Sequence, residues 1–237
     1  MSASVAALRA LIQQRFPDAA PLTGAGGAQT TDGVATGIAP LDRLLPNNGF
    51  PRGRLSVWSP LGAATAILRS ACHTVVASGE RAAWIDTDNT VAGAFWSPPH
   101  SSSSLYLVRP KSRLDAFRAA DELLRSGGFS LLILAGAEPQ GAETVRLTRA
   151  AREGGAALVA VGTSASMASL RLSSRLLHYH WRLTPFGDPA DAERADVRID
   201  ARSAGWNAHT TFSLAVMNHE LRLSLESELA DRRGLPR

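Results

Sequence analysis

The chain has 237 residues, 45% of them hydrophobic and 19% charged, with a formal net charge of +4. That composition provides for a sizeable core and excludes global disorder. The single cysteine, Cys72, excludes an internal disulfide and a multi-cysteine zinc site.

Nearly all the positive charge is arginine, since Lys111 is the only lysine. The basic balance, with a pI of about 10.1, is compatible with nucleic acid or an acidic protein surface and requires neither. No stretch approaches the ~20 apolar residues of a membrane span. The first apolar run is short and broken by Arg9, so secretion is not expected. A soluble, cytoplasmic protein is the expectation.

In chain order, Ser4 to Phe16 place Val5, Leu8, Leu11, Ile12 and Phe16 on one helical face. A Gly, Ala, Thr and Pro-rich stretch follows, so residues 1–32 read as an amphipathic helix and linker, packed locally or docked on another subunit. Residues 33–226 read as the core. Leu55 to Trp58 is a predicted strand, Gly62 to Ala77 a helix, and Ala82 to Ile85 a strand ending at Asp86. A loop with Pro98, Pro99 and the run Ser101 to Ser104 leads to a short strand, Leu105 to Val108. Ser112 and Asp115 form a capping box opening a helix with Leu114, Phe117, Ala120 and Leu124 on one face, stopped by Gly127 and Gly128. Leu131 to Leu134 has the unbroken apolar character of a strand buried on both faces. Glu138 to Glu153 reads as a helix and Ala156 to Val161 as another buried strand. This alternation predicts a doubly wound, mostly parallel α/β sheet.

The last third changes period. From Arg175 to Leu183, residues Leu177, Tyr179, Trp181 and Leu183 alternate with Leu176, His178, His180 and Arg182. The first set is expected to pack into the core. Asp196 to Ala201, Thr210 to Val216 and Leu221 to Leu225 add strand-like pieces, predicting an antiparallel extension of the sheet. Residues 227–237 read as a loosely held tail.

The segment Thr36-Gly37-Ile38-Ala39-Pro40-Leu41-Asp42-Arg43-Leu44-Leu45, then Gly49-Phe50-Pro51-Arg52-Gly53-Arg54-Leu55, resembles the lead-in to a RecA-type core. The resemblance covers roughly residues 36–225 and implies a RecA-like fold. It aligns Ser59-Pro60-Leu61-Gly62-Ala63-Ala64-Thr65-Ala66 with the phosphate-binding loop. A working loop needs G-x-x-x-x-G-K-[ST]: glycines so that backbone N–H groups can wrap phosphate, a lysine for the terminal phosphates and a hydroxyl for Mg²⁺. Here Ala64 replaces the second glycine, Thr65 the lysine and Ala66 the hydroxyl residue, while Ala135 stands where the Walker B aspartate belongs. With each charge-assisted contact worth ~2–4 kcal/mol, no nucleotide, metal or other cofactor and no ATP hydrolysis are expected. Asp86 falls on the strand that carries a catalytic acid in the family, and Asp88 lies near the water-activating glutamate, where a solvated or capping role is expected without a positioned γ-phosphate.

The segments Ala135 to Thr144 and Gly162 to Arg171, where recombinases carry their DNA-gripping loops, are short. A DNA-binding recombinase paralogue is therefore the secondary reading, resting on Arg171 and Arg175 beside Tyr179 and Trp181. His178 and His180 have no third metal ligand in view, and no Ser-His-Asp pattern supports hydrolase chemistry.

Among RecA-like proteins the chain is most similar to the ImuA family. That resemblance implies an accessory role in SOS-induced mutagenesis and translesion synthesis. The implied partners are RecA, or ImuB with its error-prone DNA polymerase, reached at the nucleoid. Leu8, Leu11, Ile12 and Phe16 are the expected partner-binding residues, weak DNA contact and self-association remain open, and a SulA-type cell-division inhibitor is a further alternative.

Overall fold

In the computed structural model, residues 33–91, 104–163 and 167–215 are described. They belong to one compact unit, Thr31–Arg237. The predicted N-terminal helix with Leu8, Leu11, Ile12 and Phe16, the strand Leu221 to Leu225 and the tail 227–237 lie outside the described residues.

The lead-in motif folds as scaffolding. Val34 and Phe50 form an isolated antiparallel bridge around the short helix α1 (Ala39–Leu44). Thr36, fully buried, donates through its N–H and its hydroxyl to Asp42 Oδ1, both at 2.7 Å. The "TG…LD" signature thus ties the chain ahead of α1 to Asp42 within the helix. Arg52 reaches Glu80 at 3.1 Å and the Gly155 carbonyl at 3.2 Å, tying the turn before the first strand to two distant loops.

The sheet has eight strands: β1 (Leu55–Trp58), β2 (Ala82–Asp86), β3 (Leu105–Val108), β4 (Leu131–Ala135), β5 (Ala157–Val161), β6 (Leu170–Leu183), β7 (Pro189–Ser203) and β8 (Trp206–Ala215). Their order is β3-β2-β4-β5-β1-β6-β7-β8. β3 through β6 pair in parallel and β6-β7-β8 antiparallel. The mostly parallel α/β sheet with C-terminal antiparallel strands is consistent with a RecA-like fold.

Helix α2 (Ala64–Ala77) packs on one face through Ile67, Leu68, Ala71, Cys72 and Val75. Helices α3 (Arg113–Arg125) and α4 (Ala142–Gly154) cover the other, where Phe117, Ala120, Leu124, Leu147 and Ala151 meet Leu55, Val57, Leu132 and Leu158. Strands β1, β2 and β4 are buried throughout, as expected for parallel strands between two helical layers. Two boundaries differ from the pattern. α4 starts at Ala142 and not at Glu138, because Pro139 and a positive φ at Gly141 keep the chain non-helical until there. Leu114 is exposed; the inward stripe of α3 is Ala116, Phe117, Ala120 and Leu124.

Cys72 is fully buried in α2, and burial pushes its thiol well above the ordinary range. A thiol reagent at pH 8 is expected to leave the native protein unmodified and to label one equivalent on unfolding, checked by a thiol titration with and without denaturant.

Candidate functional site

The switch from β1 to α2 is where a phosphate-binding loop would lie. Ser59 is half-buried, Pro60 and Leu61 are exposed, Ala64 is buried, and Thr65 and Ala66 lie exposed in the first turn of α2. Residues 59–63 carry no cationic side chain, and the Ala63 N-cap offers no side-chain acceptor to the helix.

The loop is held against β6. Ser59 N–H donates to the Leu172 carbonyl at 2.9 Å. The buried Ser174 hydroxyl donates to the Leu61 carbonyl at 2.6 Å and accepts from Trp58 Nε1 at 3.2 Å. Gly62 has a left-handed φ of 66°, and a Cβ there would stand 2.7 Å from the Ser174 carbonyl oxygen. Gly62 therefore serves the contact with β6. Ser174 was missed by sequence reasoning, although it left a signal: it interrupts the inward row Leu170, Leu172, Leu176.

Of the two carboxylates near this end, Asp86 is engaged in the protein itself. Asp86 is fully buried. Its Oδ1 accepts from Thr90 N–H at 3.1 Å and Thr90 Oγ at 3.2 Å, and its Oδ2 from Val91 N–H at 2.9 Å. Arg109 stands 3.9 Å from Asp86 Oδ2 and also bonds the Val91 carbonyl. Asp88 is exposed and lies over Gly136, whose added Cβ would be 2.6 Å from its carboxyl carbon. Ala135, which the RecA-type resemblance aligns with the Walker B aspartate, closes β4 as a buried residue.

No model of a known protein family matches the chain, and a search of curated proteins returns no match.

The second feature is the arm formed where β6 and β7 outrun β1. Its residues reverse one expectation. Tyr179, Trp181, Leu177 and Leu183 were expected in the core, yet Trp181 is 52% exposed, and Tyr179, Leu177 and Leu183 are exposed as well. The strand simply continues beyond the helical layer, so no described helix covers it. The pairing register explains a second departure. Leu176 faces Val197 and His178 faces Asp196, leaving Leu177 as the extra residue of a β-bulge. A bulge shifts the alternation by one, so Leu176 joins the core-facing row while His178, His180 and Arg182 stay on the other face. At the tip, Phe186 is 92% exposed.

On the polar side His180 Nε2 lies 2.8 Å from Asp196 Oδ2, and Ser213 Oγ bonds Asp196 Oδ1. These bonds, the serine's first and then the histidine's, hold the Asp196 carboxyl below its usual value. The serine hydroxyl meets the carboxylate and not the imidazole, so the trio lacks the base–nucleophile contact of a catalytic triad. His178 and His180 stack edge to face at 5.1 Å, and among the described residues no group of three or more His, Cys, Asp or Glu could hold a metal ion. Arg175 is exposed and Arg171 half-buried, on the same side of β6. Among the described residues no helix is long and apolar enough to cross a membrane.

Proposed function

We propose that this chain is a non-catalytic RecA-like accessory protein of SOS-induced mutagenesis and translesion synthesis, acting by binding RecA, the ImuB–error-prone polymerase complex, or both. The lead-in motif and strand order support the RecA-like part. The loop after β1 supports the non-catalytic part: it has no lysine or metal hydroxyl and is bonded to Ser174. The observation that carries the partner-binding reading is the uncovered apolar face of the arm, with Tyr179, Trp181, Leu183 and the tip residue Phe186 exposed together. Rigid aromatics at the surface are the usual anchors of protein interfaces.

The test is a side-by-side capture of purified RecA, ImuB and the tubulin-like division protein, with ATP turnover measured in parallel. Binding to RecA or ImuB and turnover at the blank level are expected. Replacing both aromatics (Tyr179→Ala with Trp181→Ser) should weaken capture at least tenfold, since anchors of this kind are worth ~2 kcal/mol or more each, with an unchanged melting temperature. Capture of the division protein alone would favour the SulA-type reading, and turnover above blank would overturn the non-catalytic one.

A further inference from the structure

The described sheet ends in two edges that differ in kind. At one, β3 runs for four residues, Leu105–Val108, and shortness is a usual way of keeping an edge from recruiting further strands. At the other, β8 runs for ten, Trp206–Ala215, and all ten pair with β7 in a register without a shift. No described strand lies beyond it. Residues 206–215 contain no proline, no glycine, and no Asp, Glu, Lys or Arg. The common devices that blunt an edge (charge, proline, a bulge, brevity) are therefore all missing from β8.

The strand is also held in place as a template. Phe212 is buried, and Trp206 and Leu214 pack against the apolar cluster that contains Leu41 of α1. The alternate residues Asn207, His209, Thr211 and Ser213 are exposed on the opposite face. In an antiparallel pairing of β8 with itself, a two-fold axis through Thr210 keeps inward residues beside inward residues. Trp206 then faces Leu214 of the partner subunit, Ala208 faces Phe212 of the partner subunit, and Thr210 meets Thr210 of the partner subunit. On the outer face Asn207 meets Ser213 of the partner subunit and His209 meets Thr211 of the partner subunit. The largest of these side chains fall opposite smaller ones, and no Asp, Glu, Lys or Arg enters any pair. Charge begins one strand back, where Arg194, Arg198 and Arg202 alternate with Asp196 and Asp200 along β7. The β7 rows of two paired copies stand three strand spacings apart, roughly 14 Å. That exceeds the ~8 Å screening length of physiological salt, so the arginines do not oppose the pairing.

We propose that β8 is a self-association edge: it pairs antiparallel with β8 of a second copy of this chain, making one continuous sheet across a two-fold axis through Thr210. The unpaired N–H and C=O groups of an edge strand supply the hydrogen bonds, and the self-matching side chains set the register. A strand without formal charge offers nothing to a partner segment chosen by charge, whereas it fits its own copy without repulsion. The sequence-predicted strand Leu221 to Leu225 has five residues, too few to occupy the ten-residue edge. Edge pairing alone makes a small interface, so a weak dimer dissociating in the micromolar range is expected. The proposal does not depend on which protein docks on the apolar face of the arm.

The experiment is sedimentation velocity on the full chain from low to high micromolar concentration, where a monomer–dimer equilibrium is expected. His209→Glu with Thr211→Glu sets two like-charge pairs across the axis and should weaken the dimer by roughly tenfold or more. Within one copy these positions face Asp200 and Arg198, one repulsive and one attractive, so the monomer should melt where the parent does. His209→Arg with Thr211→Glu makes the same two cross-axis pairs attractive and should restore dimerisation to at least the parent's level, a reversal that a merely structural role would not produce. A cysteine readout decides the matter should the glutamate variant fail to fold. Thr210→Cys brings two thiols together on the axis, with Cα atoms ~4.5–5.5 Å apart and within disulfide reach, while Cys72 stays buried. Mild oxidation should give a covalent dimer from Thr210→Cys and none from Asn207→Cys, whose thiols lie about 20 Å apart in this register. A chain that stays monomeric at every concentration would overturn the proposal. So would a dimer unmoved by the glutamate pair and lost in Tyr179→Ala with Trp181→Ser, which would assign self-association to the arm, or cross-linking through Asn207→Cys in place of Thr210→Cys.

Discussion

Asp86→Ala is expected to destabilise the protein by about 3 kcal/mol, the cost typical of stripping a buried charged acceptor from its donors. The carboxylate is fully buried at the end of β2 and receives three hydrogen bonds, from Thr90 N–H, Thr90 Oγ and Val91 N–H. Alanine leaves these donors facing a cavity, and it leaves Arg109, 3.9 Å away, without its anion. For a unit of this size the loss corresponds to a fall in Tm of roughly 6–12 °C. Asp86→Asn keeps one acceptor oxygen and should cost less. Thermal melts of both variants check the order. If Asp86 served chemistry alone, its removal would leave Tm where it was.

A comparable effect is expected at a residue with no side chain. At the C-terminus of α4, a Cβ added to Gly154 would lie 1.8 Å from the Leu124 carbonyl oxygen and 2.9 Å from its carbonyl carbon. Those are backbone atoms of α3, unable to rotate aside, so the two helix ends must separate. Arg125 and Glu153, ion-paired across this junction, would be drawn apart with them, although an exposed pair of this kind adds under ~1 kcal/mol. Gly154→Ala is expected to cost about 3 kcal/mol, at the upper end for overpacking, despite alanine being the better helix former by ~1 kcal/mol. Denaturant titration distinguishes the two: a gain in stability would mean that helix propensity outweighs the contact. Gly155→Ala, a left-handed position with open space around it, should cost only about 1 kcal/mol.

Much of the fold was legible because parallel strands between helical layers leave a strong trace. Leu55 to Trp58 and Leu105 to Val108 were read with the bounds they have, and Leu131 to Leu134 fell one residue short. The capping box at Ser112 was equally local, its hydroxyl accepting from Asp115 N–H at 3.2 Å. That residues 59–63 carry no lysine or arginine required no structure, because a missing cation is missing in any conformation.

The tertiary structure decided where the alternating segment ends up. Leu177, Tyr179, Trp181 and Leu183 have the pattern of a half-buried strand, and period alone says which residues share a face, not whether anything covers it. Coverage depends on the length of β6 relative to α2, a relation between elements far apart in the chain. The one-residue bulge at Leu177 is also invisible to a strict period of two, since it arises from pairing with β7. The same holds for Ser174 against Leu61 and for Arg171 opposite Arg202: each juxtaposes residues that only sheet registration brings together. By itself, then, the sequence determined an α/β sheet covered by helices on both faces and a loop after β1 that has no cationic side chain. Folding decided which faces remain open to a partner, because exposure is set by what packs above a strand and not by the strand's own residues.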